Sequence, residues 1–183
     1  MSANRDPAPG DLERVRRFVN THEFSEGSER IGTREALRDW LEAEGLLAPG
    51  AAVSDADVER ALAVREALRS LCRAHGNGPA DEADLRTLNE AAEDATIRVS
   101  FDRDGARLRP VGEGVAAALA TLLGIVHEAM RDGTWERMKV CSADDCAWVF
   151  YDHSRNRSGA WCTMAVCGNR AKARAYRERR RPA

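Results

Sequence analysis

Apolar residues recur along most of the chain at the three- and four-residue spacing of amphipathic helices. This pattern predicts one helix from residue 11 and a second after Thr33, a residue type that favours helix N-caps. A third helix follows Ser54 and Asp57, which are spaced as in a capping box, and a fourth follows Asp81. The apolar positions that define these four helices are Leu12, Val15, Phe18, Val19, Leu37, Trp40, Leu41, Val58, Leu62, Leu68, Leu71, Cys72, Leu85 and Leu88.

The spacing of the apolar residues then changes to every second position. Ile97, Val99 and Phe101 alternate with polar residues, and an Asp-Gly pair at Gly105 supplies the positive φ that hairpin turns require. The sequence therefore predicts a β-hairpin near residues 96–111. A long apolar helix follows from about residue 113 to residue 131 and ends before Gly133. Its apolar stretch is too short to span a bilayer, so no membrane partner is expected.

These elements predict a mainly α fold with an inserted β-hairpin, which belongs to the α+β class. Residues 1–10 lack an apolar pattern and are expected to be disordered. Residues 11–135 form a helical domain that contains the hairpin. Residues 136–183 form a small module with four cysteines, short strands and a basic C-terminal helix.

The N-terminal residues contain no apolar core of the kind found in secretory signals, so a cytoplasmic location is expected. In that reducing compartment, clustered cysteines are more often metal ligands than disulfides. The chain is not expected to be an enzyme, because it lacks a phosphate-binding Gly-rich loop, a nucleophile elbow and a metalloprotease motif. His22, His75 and His127 are scattered and suggest no catalytic base.

Four of the five cysteines form two pairs with identical four-residue spacers, Cys141 with Cys146 and Cys162 with Cys167. Short spacers let two sulfurs from one turn reach the same ion, and four thiolates suit tetrahedral zinc. The spacing therefore predicts one structural Zn²⁺. Two disulfides and an iron–sulfur cluster are the alternatives. His153 lies between the pairs, but four cysteines already complete a closed site.

Charge is distributed unevenly. From Arg137 to the C-terminus there are eleven Lys and Arg against four Asp and Glu, whereas the rest of the chain has 17 against 26. A basic tail on an acidic body indicates an anionic partner. A solvated tail is the simpler reading, and Arg155, Arg157 and Arg170 could instead offset the negative charge of a zinc–thiolate site.

The C-terminal segment predicts a helix on which Arg170, Arg174, Arg177 and Arg181 share one stripe. Such a helix, anchored by zinc at its start, suits the major groove or the phosphate backbone of DNA. The candidate DNA contacts are Arg155, Arg157, Arg170, Lys172, Arg174, Arg177 and Arg181. Trp148, Phe150 and Tyr151, in a short predicted strand, are expected to cover the metal, with base stacking by Tyr151 or Trp148 as the alternative.

The run Cys167-Gly168-Asn169-Arg170, together with the preceding cysteines, resembles the CGNR zinc finger family over residues 137–180. The upstream region resembles the ABATE domain of stress-induced transcription regulators, with support from residues 18–21, 40–41 and 65–69. The resemblance implies a bacterial protein with four zinc-binding cysteines and a DNA-binding C-terminus.

The sequence thus predicts a DNA-binding transcription regulator whose N-terminal domain senses a signal or forms a homodimer. The alternative is a zinc-stabilised module that binds protein or RNA without sequence-specific DNA recognition. Asn20 and Arg65 are candidate polar groups for a small-molecule effector. Otherwise Asn20 caps the first helix and Arg65 lies on the surface. Gly168 is expected to allow close backbone approach to the metal, and Asn169 to orient a turn or bond a cysteine sulfur.

Overall fold

The computed structural model describes residues 6–77, 79–93, 96–103 and 105–179. Six α-helices and six short strands follow one another in these residues: α1 Leu12–Val19, β1 His22–Glu23, β2 Ser28–Glu29, α2 Arg34–Ala43, α3 Asp55–Asn77, α4 Glu82–Glu93, β3 Thr96–Asp102, β4 Gly105–Val111, α5 Gly114–Asp132, β5 Met138–Val140, β6 Val149–Tyr151 and α6 Asn169–Arg179. The strands form three separate antiparallel pairs. The predicted α+β class is confirmed.

Helix α5 lies at the centre of the N-terminal helices and packs against α1, α3 and α4. It is the one helix in the described ranges that is long and apolar enough to cross a membrane by length and composition. Eight of its residues are buried against the rest of the chain. Its apolar side chains are thus part of the protein core, where they pack against the other helices.

The helix ends use the caps that the sequence predicts. The Thr33 side chain accepts a hydrogen bond from the Ala36 N–H at the start of α2. Ser54 and Asp57 bond each other's backbone N–H groups in a reciprocal capping box before α3. Helix α5 ends at Gly133, whose φ of 77° is left-handed and therefore favours glycine.

The predicted hairpin forms β3 and β4, paired from Thr96 with Val111 to Asp102 with Gly105. It rests on α5, where Leu108 lies beside Gly124. Farther out, Phe101 is 82 % exposed, so the apolar face of the hairpin extends beyond the helix. Sequence reasoning missed the smaller β1–β2 hairpin, because its four residues carry no alternating pattern.

The N-terminal segment differs from the prediction. Residues 1–5 lie outside the described ranges, but Ala8 is buried in the main core. Its N–H donates to the Glu13 carboxylate, and the carbonyl of Pro7 hydrogen-bonds the His153 ring. A single small apolar residue and two backbone contacts therefore hold residues 6–10 in place, without a hydrophobic pattern that the sequence could reveal.

The main core continues past residue 135. Trp135, Met138 and Val149 are buried in the same cluster as the side chains of α1, α3 and α5. Strands β5 and β6 pair antiparallel, with Met138 opposite Tyr151 and Val140 opposite Val149. The first part of the cysteine-containing segment is thus built onto the helical domain rather than connected to it by a linker.

Candidate metal centre and basic helix

The four predicted zinc ligands converge at the end of the β5–β6 hairpin. Cys141 follows β5, Cys146 closes the turn before β6, Cys162 ends the next loop, and Cys167 lies in a π-helical turn, Met164–Gly168, that leads into α6. Their Sγ atoms all lie within 4.8 Å of one another, and each residue is buried. The Cys162 Sγ atom is 3.6 Å from both the Cys146 and the Cys167 Sγ atoms.

These distances fit one tetrahedral ion. With Zn–S bonds of about 2.3 Å, ideal tetrahedral geometry places the sulfurs about 3.8 Å apart. The disulfide alternative is wrong, since all five cysteines are free and the closest sulfur pairs are well beyond the bond length of about 2 Å. A multi-iron cluster would spread its ligands farther apart than one ion does. The four thiolates therefore form a closed structural zinc site.

The thiols do not share one environment. Hydrogen bonds from Cys146 and Cys162 lower the pKa of the Cys141 thiol, whereas burial raises the pKa of the Cys167 thiol. Four adjacent thiolates would repel one another strongly at this buried site, because little water is present to screen their charges. A dication relieves that repulsion, and this is the chemistry that zinc supplies when bound.

A small apolar shell surrounds the cysteines. Phe150 is buried, and Ala143, Trp148 and Trp161 pack around the cluster. The Cys141 N–H donates to the Trp148 carbonyl at 2.9 Å, which ties the first ligand to the strand that carries the aromatic residues. These contacts place Trp148 and Phe150 as the cover of the metal site, as the sequence predicts. The expectation that Tyr151 also covers the metal is wrong, since this residue packs against the main core.

Gly168 and Asn169 both have structural roles, and that of Asn169 is the turn-orienting one of the two expected of it. A Cβ on Gly168 would lie 2.4 Å from Met164 Sδ and 3.3 Å from Trp161, so this glycine makes room for these two side chains. The Asn169 side chain donates to the Ala165 carbonyl at 3.1 Å and thereby joins the π-helical turn to α6. The turn, and not a sulfur, is its partner.

The loop between the cysteine pairs is organised by the buried carboxylate of Asp152. It accepts hydrogen bonds from Lys139 Nζ and from the Gly159 N–H at 2.8 Å, and from the Ser154 N–H at 2.9 Å. Burial alone would raise the pKa of Asp152, but the Lys139 ammonium and these N–H groups outweigh it and hold the pKa well below the usual range. No local sequence pattern indicates this role.

Two polar side chains of the helical domain clamp the zinc module. The Asn20 side chain donates to the Val149 carbonyl at 2.8 Å and accepts from the Val149 N–H at 2.9 Å, so it pairs with β6 as a further strand would. Arg69, 1 % exposed, donates to the carbonyls of Ala147 and Val19 at 2.7 and 2.5 Å. Both side chains thus satisfy backbone hydrogen-bonding groups at the junction between the helical domain and the zinc module.

The candidate effector residues are used within the protein. Asn20 also caps α1 through its backbone N–H, which bonds the Arg16 carbonyl. The expectation that Arg65 lies on the surface is wrong, since its guanidinium is buried and donates to Glu29 and Glu66. Burial raises the pKa of both carboxyls, but the positive charge and hydrogen bonds of Arg65 help to bring each pKa below its usual value.

A cavity of about 510 Å³ adjoins the junction. Asn20 lies in its wall, but Arg65 is not one of its lining residues. Helical side chains, the β1–β2 hairpin and one residue of the zinc module surround it together. The lining residues are Arg16, Arg17, Asn20, Thr21, Glu23, Glu26, Arg30, Trp40, Glu44 and Trp148.

The candidate DNA contacts fall into two groups. Arg170 bonds Asp145 at 2.6 Å, Arg174 bonds Asp144, and Arg157 bonds Glu136. Lys172 and Arg155 are exposed, while Arg177 is exposed with its Nε–H directed to the Ala173 carbonyl. Arg181 lies outside the described residues. Arg170 and Arg174 lie on one face of α6, as predicted. In this structure both side chains bind carboxylates of the spacer between Cys141 and Cys146.

A buried four-cysteine zinc site that leads into a basic helix defines a zinc-finger protein. The chain belongs to the ABATE family, described as "Putative stress-induced transcription regulator", which it matches over residues 5–130. Residues 137–180 match the CGNR zinc finger. A comparison with curated proteins found no match.

Proposed function

We propose that this protein is a DNA-binding transcription regulator of the bacterial cytoplasm, without catalytic activity, in which the zinc module presents α6 to DNA. The single observation that carries the proposal is the position of Cys167, a zinc ligand in the turn that leads into the basic helix. Zinc therefore fixes the start and direction of α6. An α-helix fits the width of the major groove, and cations along it meet the phosphates on either side.

The helical domain supplies the second part of the proposal. The junction cavity is of the size that small ligands occupy, and its wall includes both Asn20 and Trp148. An effector bound there contacts the helical domain and the zinc module at once, so it can alter the presentation of α6. Homodimerisation would place two basic helices on two half-sites, as one short helix rarely gives sufficient specificity.

The function is tested by incubating the zinc-loaded protein with a random duplex DNA library at physiological salt and sequencing the retained DNA. An enriched motif is expected, with two-fold symmetry if the protein is a dimer. Replacement of Arg174 and Arg177 by Ala should weaken binding and flatten its salt dependence. An unchanged affinity and slope in this variant would contradict the role of the stripe.

One observation favours the alternative of a protein- or RNA-binding module. Arg170 and Arg174 already bind carboxylates, as they would on an acidic protein partner. Competition among duplex DNA, structured RNA and proteins from a cell extract for the purified chain separates the two functions. Retention of DNA without motif enrichment would favour this alternative.

A further inference from the structure

The spacer between the first two zinc ligands carries adjacent carboxylates that face the basic helix. Asp145 accepts a hydrogen bond from Arg170 Nη2 at 2.6 Å, and Asp144 bonds Arg174 Nη1. The arginines lie one helical turn apart on α6, and the aspartates are consecutive in the spacer. Two ion pairs thus join the spacer between Cys141 and Cys146 to α6.

All four of these side chains remain exposed. The exposed fractions are 50 % and 57 % for Arg170 and Arg174, and 57 % and 76 % for Asp145 and Asp144. Ion pairs so exposed stabilise a fold only weakly, since water competes for both partners. Another anion can therefore replace the carboxylates at little cost to the folded state.

A cleft of about 220 Å³ separates the spacer from α6, with Asp144 and Asp145 on one wall and Arg170 and Arg174 on the other. Cys167 lies in the same lining, so the negative charge of the zinc–thiolate site also acts on Arg170. The guanidinium groups line this cleft, where they pair with carboxylates of the module itself. They are available to an anion that approaches from solvent.

We propose that this cleft face is a phosphate-binding surface whose resident competitor is the Asp144–Asp145 pair, and that the DNA backbone binds Arg170 and Arg174 by displacing these carboxylates. The inference rests on the proposed function, because it names the surface that contacts DNA. It also identifies the acidic spacer as an element that limits affinity, since each guanidinium must leave a carboxylate before it binds a phosphate.

The exchange has a measurable signature in affinity. Each guanidinium that contacts a phosphate releases part of the condensed counterion atmosphere of DNA and contributes about 0.9 to the slope of log K against log salt. An isolated surface carboxylate has no such atmosphere, so the slope is expected to be the same with and without the aspartates. What the aspartates change is the affinity, because each ion pair must open before its arginine binds a phosphate. If the aspartates are replaced by asparagines, this cost disappears.

The test uses three full-length, zinc-loaded chains: the wild type, the double variant Asp144→Asn/Asp145→Asn, and the matched control Glu82→Gln/Glu90→Gln. The control removes two exposed carboxylates of α4 and so changes the net charge equally. Each chain is first shown to contain one zinc. Binding to a random-sequence duplex is then measured by fluorescence anisotropy over a range of salt, and elution from immobilised heparin is measured in parallel.

The Asn variant is expected to bind duplex DNA about fivefold more tightly than the control at low salt, the scale of two surface ion pairs. Its slope of log K against log salt should match that of the control, and it should leave heparin at higher salt. Adding Arg170→Ala and Arg174→Ala to the Asn variant should cancel these gains. An affinity and an elution position equal to those of the control would overturn the proposal.

Failure of the proposed function gives a different result. If heparin elution shifts as expected but none of the chains binds duplex DNA, DNA is not the partner, whereas competition between the carboxylates and an anion is supported. If the wild type binds DNA and the Asn variant behaves as the control does, the DNA-binding function stands and the displacement mechanism is wrong.

Discussion

The two halves of the zinc module are held in opposite ways. The anchor half, residues 138–151, buries Met138 and Val149 in the helical core and is clamped by Asn20 and Arg69. The helix half, residues 162–179, is joined to the rest of the module by the zinc ligands and by exposed ion pairs. The first half is a platform and the second is a surface that can change partners.

The difference follows from the cost of breaking each kind of contact. A buried backbone group that loses its partner costs about 1–3 kcal/mol, because water cannot replace the bond. An exposed ion pair that opens is solvated at once and costs about 1 kcal/mol or less. Zinc joins the halves, since two ligands come from each.

The largest effect is expected for Cys162→Ser. The variant loses a ligand of the site, and structural zinc contributes on the order of 10 kcal/mol to the folding of such modules. This is comparable to the whole stability of a domain. We expect loss of the zinc equivalent and a much lower melting temperature, measured by metal analysis and circular dichroism. Full zinc content with wild-type melting would contradict the four-ligand site.

Arg69→Met tests the clamp of the anchor half. The substitution keeps most of the side-chain length but leaves the Val19 and Ala147 carbonyls without this donor, at a cost of about 3–5 kcal/mol. Urea unfolding measures the loss. The matched control is Arg73→Met, an exposed arginine on the same helix, which should change stability little. Equal effects of the two substitutions would show that the clamp contributes nothing.

Asp152→Asn tests the loop that connects the halves, with an expected loss of about 2 kcal/mol. Because the folded-state pKa of Asp152 is depressed, its contribution is present above the ordinary aspartate pKa of about 3.9 and declines as pH falls below it. The stability difference between wild type and variant should therefore shrink on acidification below about pH 4. A difference that grows on acidification would contradict this assignment.

Gly168→Ala should cost about 1 kcal/mol, because the new Cβ displaces the flexible end of Met164 and crowds Trp161. Thermal melting measures the effect. Combining the substitution with Met164→Ala should recover part of the loss. If the double variant is no better than Gly168→Ala alone, the glycine is required for a reason other than space.

The smallest stability effect is expected for Arg170→Ala/Arg174→Ala, about 1 kcal/mol or less. Chemical unfolding measures it, and the same variant should bind DNA more weakly. A loss of several kcal/mol would mean that the ion pairs hold the helix half in place, and the contrast between the halves would disappear.

Local patterns were sufficient to predict most of the fold. Helix caps at Thr33 and Ser54, the hairpin turn at Gly105 and the paired cysteines all act over a few residues, so the sequence shows them directly. The zinc ligands could be predicted for the same reason, since each spacer is a single turn.

Long-range polar contacts could not be predicted in this way. Asn20 bonds Val149, a residue 129 positions away, and Asp144 meets Arg174, 30 positions away. A signal for Arg69, like that for Arg65, was present in the sequence. Arg65 and Arg69 lie in α3 beside its apolar positions, including Leu62 and Leu68, and a charge so placed is buried and paired.

The most direct test of the anchor is hydrogen exchange of the full chain before and after zinc removal by a chelator. If β6 and its clamps form one unit with the helical domain, protection should fall both in the cysteine module and around Asn20 at the end of α1, because Asn20 and Arg69 lose ordered partners. If protection falls only beyond residue 138 and the end of α1 is unchanged, the zinc module folds independently and the account of its anchor half is wrong.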